Sequence, residues 1–276
     1  MRRFGIFMAL MLISLSFFSA LAKDILLPKE LECKAFIKSS TKDGLWEKTL
    51  ILVFNEERRV FSTNEGFLNA KAVINHSAHP DIWKKVCEEL KTKDEVGGMV
   101  YIRQIKKQIA QELNIDVDKL VQVATAADMD NHALITKEYP PYVVTAIVTA
   151  GAKTNSLRTG IDEGPYIESA LEKQGTVNVI ILTNAVLTDG AMARAVITAT
   201  EAKTAAFQDL NVPSSYTKNA QATGTGTDSV VIVSGPKGPK VKYTGGHSKM
   251  GELIGKAVYE AVALGLERQN GFRRPR

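Results

Sequence analysis

Hydrophobic residues recur every three or four positions in four parts of the chain, a spacing that predicts α-helices. Trp83, Val86 and Leu90 mark the apolar face of the first helix, and Ile105 and Ile109 mark that of the second. Two longer segments nearer the C-terminus are also predicted to be helical. The four predicted helices cover residues 81–90, 100–113, 189–210 and 251–266.

Strands are predicted where apolar residues follow one another without interruption. Runs rich in β-branched side chains are typical of strands covered on both faces, and they occur at residues 120–125, 142–149 and 177–182. Shorter runs on either side of polar turns predict two strand pairs. These pairs are 49–54 with 59–63, and 229–233 with 240–243.

This order of elements predicts the fold class. The middle of the chain is rich in strands, and helices precede and follow it, which favours an α/β (α+β) arrangement. No Pro/Ser/Gly-rich linker or acidic run divides the chain. We therefore expect a single-domain layered sandwich over residues 23–266, with a mixed β-sheet covered by helices.

The first 22 residues have the pattern of a secretory signal peptide. Arg2 and Arg3 precede an apolar stretch over residues 4–18, and Ala20-Leu21-Ala22 is a small-x-small cleavage site. An uncleaved membrane anchor is the alternative. We expect cleavage before Lys23 and export to the periplasm or the extracellular space.

Composition removes several classes of protein. Hydrophobic residues make up 45% of the chain and charged residues 24%, which excludes disordered and collagen-like chains. Removal of the two leader arginines lowers the formal charge from +5 to +3, too little to indicate a nucleic-acid partner. No later run is apolar enough to predict a membrane span. The basic tail, residues 267–276, is expected to be a frayed, solvated terminus, with an anionic surface contact as the alternative.

Cysteine and histidine spacing gives no indication of a metal site. Cys33 and Cys87 are either a disulfide, which export would permit, or two free thiols. His76 and His79 are close in sequence but have no third ligand nearby. We therefore predict neither a metal nor a cofactor.

Polar residues that could take part in catalysis or binding are concentrated between predicted strands and helices, where folds of this class usually have their functional sites. One such stretch contains Asp128, a second contains Asn155, and a third is Thr223-Gly224-Thr225-Gly226-Thr227-Asp228. The glycines of the third stretch would let the backbone approach a ligand, and its hydroxyls would donate and accept hydrogen bonds. A plain loop is the alternative, in which Asp228 caps its own turn rather than orienting a histidine.

His247 follows Gly245-Gly246 at the start of the last predicted helix, where free backbone N–H groups can hold an oxyanion. A general base suits this position; an exposed or capping histidine is the alternative. On the preceding helix Glu201 belongs to a polar stripe, and Lys203 points away from it. Such a stripe is a solvated face unless the helix covers the sheet, in which case Glu201 would be partly buried and its pKa raised.

Four segments of the chain, taken together, have a recognisable pattern. They are VVTAIVTAGAKTN (143–155), GTVNVIILTNAVLTDGAMARAVITATEAKTAAFQDL (175–210), ATGTGTDSVVIV (222–233) and YTGGHSKMGELIGKAVYEAVA (243–263). In this order they resemble the adenosylcobinamide amidohydrolase family, and Thr125-Ala126-Ala127-Asp128-Met129 is similar to a fifth stretch of that family. The resemblance covers residues 120–265 well and 50–120 loosely.

The resemblance implies hydrolysis of the amide that joins the aminopropanol arm of adenosylcobinamide to the corrin ring system. The corrinoid is then a small-molecule substrate in corrinoid salvage, and no cofactor is implied. The family is expected to be intracellular, and a leader peptide departs from that pattern. The substrate of an exported enzyme could therefore be either cobinamide or adenosylcobinamide. A corrinoid-binding protein without catalysis, and a secreted hydrolase of another amide, are the alternatives.

Amide hydrolysis requires a base, donors to an oxyanion and an acid for the departing amine. From that chemistry we predict His247 as base and Asp228 or Glu201 as its carboxylate partner. Asn155 and the N–H groups of Gly245 and Gly246 would bind the oxyanion. A hydroxyl nucleophile among Thr225, Thr227 and Ser229 is the alternative. The predicted substrate-binding residues are Thr223, Gly224, Thr225, Gly226, Thr227, Gly245, Gly246, Lys249 and Asp128.

Overall fold

The computed structural model describes residues 21–92, 95–164 and 175–275, which form strands and helices in alternating groups. The strands are β1 (Leu21–Ile25), β2 (Cys33–Lys42), β3 (Leu45–Ser62), β4 (Gly66–Ala78), β5 (Leu120–Thr125), β6 (Ala133–Tyr139), β7 (Tyr142–Ala150), β8 (Ser156–Leu157), β9 (Val177–Thr183), β10 (Val186–Leu187), β11 (Gly224–Thr225), β12 (Ser229–Val233) and β13 (Lys240–Val241). The helices are α1 (Pro80–Glu89), α2 (Gly97–Glu112), α3 (Asp189–Asp209) and α4 (Lys249–Asn270).

The predicted fold class is confirmed: a mixed sheet is covered by helices in a single domain. Nine strands form the main sheet, in the order β1-β2-β3-β12-β9-β7-β6, with β4 beside β3 and β5 beside β4. The pairs β4–β5 and β9–β12 are parallel, and the other pairs are antiparallel. The sheet is therefore mixed, as the sequence predicted.

Strand β3 joins the two halves of this sheet. Its first half pairs with β2, its last residues pair with β12, and β4 follows its other edge along both halves. Residues 54–57 interrupt the register with β4 and form a bulge, which bends the strand. The predicted strand pair 49–54 and 59–63 is therefore wrong. Asn55 and Glu57 are exposed at the bulge of one continuous strand, because a bulge accepts the same polar residues as a turn.

The bend folds the sheet over a core, so that β4 and β5 meet β7 and β9. Asn75 donates from its side chain to Thr149 Oγ1 (2.9 Å), and Asn178 donates to Asn75 Oδ1 (3.1 Å) and to the Ala124 carbonyl (2.9 Å). The two halves enclose apolar residues from seven strands, β2, β3, β4, β5, β7, β9 and β12, together with Leu31 and Met129.

Helices cover both outer faces of the folded sheet. α3 and α4 pack on β7, β9 and β12, with Phe207 and Ile254 buried among the strand residues. α2 covers β4 and β5 on the other side, and α1 packs against α2. In the described part of the chain, no helix combines the length and the hydropathy that crossing a bilayer requires.

All four predicted helices and the three predicted apolar strands are confirmed, with small differences at their ends. In the second predicted pair, the strand 229–233 is confirmed as β12, but its pairing with residues 240–243 is wrong. β12 pairs with β3 and β9, whereas Lys240–Val241 pairs in parallel with β10. Strands β1, β2, β4 and β6 of the main sheet were not predicted, and neither were the two-residue strands β8, β10 and β11.

The two ends of the chain also bear on the predictions. The predicted leader lies mostly outside the described residues, apart from Leu21 and Ala22 at the start of β1. At the other end α4 continues to Asn270, where Gly271 adopts the left-handed conformation. Arg268 donates to the His132 carbonyl, so the expectation of a frayed terminus is wrong for the first residues of the tail.

The two cysteines are free thiols in the described chain, which removes the disulfide alternative. Cys33 lies at the start of β2, next to the core, and Cys87 lies on α1. Burial raises the pKa of the Cys33 thiol to about 12, although nearby Arg58 opposes the shift. A thiol in this setting is a structural residue and a poor nucleophile.

A chain of buried polar groups lies between the sheet and α2. His76 is 2% exposed; its Nδ1 lies 2.9 Å from Thr49 Oγ1 and its Nε2 lies 2.9 Å from the Tyr101 hydroxyl. Tyr101 in turn donates to the Glu47 carboxylate. Because the Tyr101 proton goes to Glu47, we infer that His76 donates from Nε2 and accepts at Nδ1. The neutral imidazole therefore fits this site.

Burial lowers the pKa of His76 to about 3, with Lys42 adding to the shift. The unfolded chain binds a proton at this histidine below about pH 6.5, whereas the folded chain does not. The free energy of unfolding should therefore fall as pH drops from about 6.5 towards about 3. His76→Gln should flatten that dependence in urea titrations at several pH values. An unchanged slope in the variant would show that other groups cause the acid sensitivity.

Candidate functional site

Polar loops from different parts of the chain meet at one end of the folded sheet. This end, the polar end, contains the carboxyl ends of β4, β5 and β7 and the amino ends of β9 and β12. Ser77 Oγ donates to the Ala127 carbonyl (2.5 Å), and Gly151 N donates to the Thr176 carbonyl (2.9 Å). Three of the segments singled out in the sequence, those around Asp128, 151–156 and 223–228, lie here.

Asp128 lies just after β5 and is held from three directions. Its Oδ1 accepts from Lys48 Nζ (2.7 Å) and from Asp130 N (3.0 Å), and its own N–H donates to Gln269 Oε1 (3.1 Å). Lys48 also donates to Asp130 Oδ2 (2.6 Å). Burial opposes the charge on Lys48, but its hydrogen bonds to the two carboxylates raise its pKa. The cation of Lys48, which lies on β3, is therefore held beside Asp128.

Asn155 ties three loops of the polar end together. Its Nδ2 donates to the Gly175 carbonyl (2.9 Å), its Oδ1 accepts from the Tyr216 hydroxyl (2.6 Å), and its carbonyl accepts from Gly226 N (3.1 Å). The side chain is 4% exposed. Asn155 is therefore a positioning residue in this structure, and Tyr216, which the sequence did not indicate, presents a ring that is 43% exposed beside it.

Asp228 is the anchor of the threonine-glycine loop. One carboxylate oxygen accepts from Val177 N (2.9 Å) and Thr225 Oγ1 (2.5 Å), and the other accepts from Thr225 N (3.0 Å) and pairs with Lys203 Nζ. The side chains of Lys203 and Asp228 are only 12% and 13% exposed. The alternative in which Asp228 caps its own loop is therefore the one observed.

The two glycines of this loop lie close to the protein's own side chains. A Cβ at Gly224 would overlap with Asp228 Oδ2 and Lys203 Nζ, and one at Gly226 would lie 2.9 Å from Asn155 Oδ1. The glycines thus make room for the ion pair and the amide beneath them. Thr223 Oγ1 accepts from Thr159 N (3.0 Å) and Thr227 Oγ1 donates to the Gly175 carbonyl (3.0 Å), so both hydroxyls also serve the loop.

His247 lies far from these groups. It is exposed and packs at a tilt against the Tyr243 ring, with ring centroids 5.3 Å apart. Ser248, not His247, caps α4, with its Oγ accepting from Gly251 N (3.1 Å). Lys249 pairs with Glu252 (2.5 Å) and lies over the Tyr139 ring, at the hairpin between β6 and β7.

That hairpin adjoins the carboxyl end of β9, whereas Asp228 binds its amino end. The seven residues of β9 span about 20 Å. His247 is therefore not oriented by Asp228, and Asn155 cannot share an oxyanion site with Gly245 and Gly246. The predicted catalytic constellation is wrong as a single site.

Glu201 belongs to neither group of loops. It is exposed on α3 and lines a groove of about 420 Å³ between α3 and α4, together with Gly246. The buried-carboxylate interpretation of Glu201 is therefore wrong, because the face of α3 that covers the sheet is its alanine-rich side.

The two histidines close in sequence do not converge on a metal. His76 is inside the hydrogen-bond chain described above, and His79 Nδ1 accepts from Asp81 N (3.1 Å) at the start of α1. Across residues 21–92, 95–164 and 175–275, no three His, Cys, Asp or Glu side chains are arranged to hold a metal ion.

Comparison with known proteins extends over nearly the whole domain. The model of a family described as adenosylcobinamide amidohydrolase matches residues 34–274. An uncharacterized protein of Methanocaldococcus jannaschii is 44% identical over 243 residues, which cover 83% of this chain and 90% of that protein.

Two similar proteins are named adenosylcobinamide amidohydrolase. The one from Methanosarcina mazei is 31% identical over 152 residues, covering 52% of this chain and 64% of that protein. The one from Halobacterium salinarum is 30% identical over 137 residues, covering 49% of this chain and 54% of that protein. The matched segments thus span between half and two thirds of these two relatives.

Gly224→Ala tests the close packing around the buried ion pair. The new methyl group would displace Lys203 or Asp228, each of which is held by the other, so the free energy of unfolding should fall by about 1–3 kcal/mol. Gly190→Ala, in the first turn of α3 with open space around it, should leave stability unchanged or slightly higher. Urea denaturation of both variants checks this; equal stabilities would show that the loop yields without cost.

Proposed function

The chain belongs to the adenosylcobinamide amidohydrolase family, and on that premise we propose that it hydrolyses the aminopropanol amide of cobinamide or adenosylcobinamide. Water adds to the amide carbonyl, the C–N bond breaks, and cobyric acid and aminopropanol leave. The corrinoid is the substrate in this reaction. The family match over residues 34–274 is the observation that carries the proposal.

We place the reaction at the polar end, with Asp128 as the base. Among contacts within the described residues, Asp128 Oδ1 accepts from Lys48 and Asp130, while Oδ2 accepts no hydrogen bond. An ionised carboxylate oxygen with an unused lone pair can take a proton from an attacking water. Protonated Asp128 then returns that proton to the departing amine.

Lys48 supplies the positive charge that the tetrahedral intermediate requires. An ammonium group has three N–H donors, and two of those on Lys48 bind Asp128 and Asp130. The third is available to the oxyanion, and its charge is already in place beside the base. Because the Lys48 side chain is 13% exposed, little rearrangement is needed to exclude water from it.

The loop 223–227 and Tyr216 would bind the rest of the substrate. A corrin ring system carries several carboxamide side chains, which donate and accept hydrogen bonds, and a flat apolar perimeter. Gly226 is exposed on the loop, and the half-exposed ring of Tyr216 lies next to it through Asn155. An aromatic side chain with a polar tip suits a ligand of this mixed character.

The first prediction of this proposal is turnover. The protein should release aminopropanol catalytically from cobinamide, adenosylcobinamide or both, measured by mass spectrometry beside the visible corrin spectrum. Asp128→Asn should lower kcat at least about 100-fold, because the amide cannot accept the proton. Asn still caps the turn that begins at Asp128, so the fold is preserved.

Asp130→Asn is the matched control, because Asp130 also binds Lys48 but is 66% exposed. It should keep kcat within a few-fold, and His247→Ala should keep it as well. Loss of turnover in His247→Ala with full turnover in Asp128→Asn would move the reaction to the start of α4. A stoichiometric spectral shift without release would make the protein a corrinoid binder, and no response would exclude this substrate.

We also propose that the protein is exported through its leader. Cleavage after Ala22 removes two of the five residue pairs between β1 and β2 and leaves three, so the sheet edge is retained. Mass spectrometry of the chain from fractionated cells should find Lys23 at the N-terminus, outside the inner membrane. Recovery of the intact chain in the membrane fraction would instead support an uncleaved anchor.

A further inference from the structure

We propose that the ion pair between Lys203 and Asp228 is a positioning device that sets the loop 223–227 for the substrate. Its loss would then weaken substrate binding more than it slows the chemical step. The inference rests on the proposed function, because the loop is the part of the polar end assigned there to the corrinoid. It gives a role to a helix lysine that the reaction itself does not use.

Helix α3 holds this loop at both ends. Thr204 Oγ1 donates to the Thr223 carbonyl (3.0 Å) at the start of the loop, and Lys203, one residue earlier, pairs with Asp228 at its end. Asp228 also accepts hydrogen bonds from the backbone N–H and the hydroxyl of Thr225, in the middle of the loop. The conformation of the loop is therefore fixed from beneath, by a helix that packs on the sheet.

Only a carboxylate satisfies this position. Each oxygen of Asp228 faces two donors, and the four donors belong to Lys203, Thr225 and Val177. In an amide, one of the two oxygens would become an NH₂ group facing N–H or O–H donors. Asp228→Asn would therefore release at least one side of the loop, and it would leave the Lys203 charge buried without a counterion.

The device is separate from the proposed base. Asp128 is held by Lys48 and Gln269, and neither residue contacts the loop 223–227 through a hydrogen bond found in the described chain. Movement of the loop would thus leave the base and its lysine in place. A change in KM with little change in kcat is the expected signature.

The test compares Lys203→Met, Asp228→Asn and the double variant with the wild-type full chain, using cobinamide as the probe. In each variant KM, and Kd from titration of the visible corrin spectrum, should rise about tenfold, with kcat within about twofold. The double variant should be more stable than either single variant, because no buried charge is left unpaired, yet its KM should stay high. A double variant that regains stability but keeps a high KM would show that the ion pair positions the loop, and that the rise in KM is not a result of general destabilisation.

Lys137→Met is the control. Lys137 on β6 pairs with Glu260 on α4 (2.8 Å), the two side chains are 29% and 43% exposed, and Lys137 lies opposite Val144, near the start of β7 and away from the polar end. This variant should lose stability without a change in KM.

Wild-type KM in the double variant, or a fall in kcat that matches the rise in KM, would refute the positioning role. Cobinamide bound without turnover refutes the hydrolysis alone, and the Kd series then decides the positioning role. A wild-type chain that neither binds nor cleaves cobinamide refutes both proposals.

Discussion

Strand β3 is the constraint on which the rest of the structure depends, because one chain segment belongs to both halves of the sheet. Its 18 residues pair with β2 and then β12 along one edge, and with β4 along the other. A straight strand of this length would produce an open sheet with exposed edges. The bulge at residues 54–57 bends it, so that both halves close over a shared core.

Closure of the sheet requires polar residues where β4 and β5 meet β7 and β9. Asn75, Thr149 and Asn178 are almost fully buried there, and each binds another or a strand carbonyl. Buried amides cost free energy unless they are satisfied, and a satisfied network favours one register over its alternatives. This seam also fixes which loops share an end of the sheet. The polar end is thus a product of the same contacts that close the fold.

Local pattern was sufficient for the helices and the apolar strands, but long-range pairing was not readable from it. Strand β4 was missed because its buried half contains Asn75, His76 and Ser77, whose partners are known only once the sheet closes. The loops of the polar end were found because polar residues follow strands. His247 was wrongly combined with Asp228 because sequence spacing does not say which end of a sheet a helix starts from. One feature of the sequence indicated that Lys203 is buried: its position on α3 lies away from the polar stripe of that helix.

Asp128 and Asp228, two carboxylates of the polar end, show why burial alone does not identify a catalytic acid or base. Asp228 is the more buried, but its four contacts use both oxygens, and any proton it accepted would break the loop that it holds. Within residues 21–92, 95–164 and 175–275, Asp128 Oδ2 has no hydrogen-bond partner, and Lys48 remains bound to Asp128 through Oδ1. A base must change its protonation state during each turnover without loss of its position. Of the two, Asp128 alone meets that requirement, because Oδ1 binds Lys48 and Asp130 while Oδ2 is the oxygen proposed to take the proton.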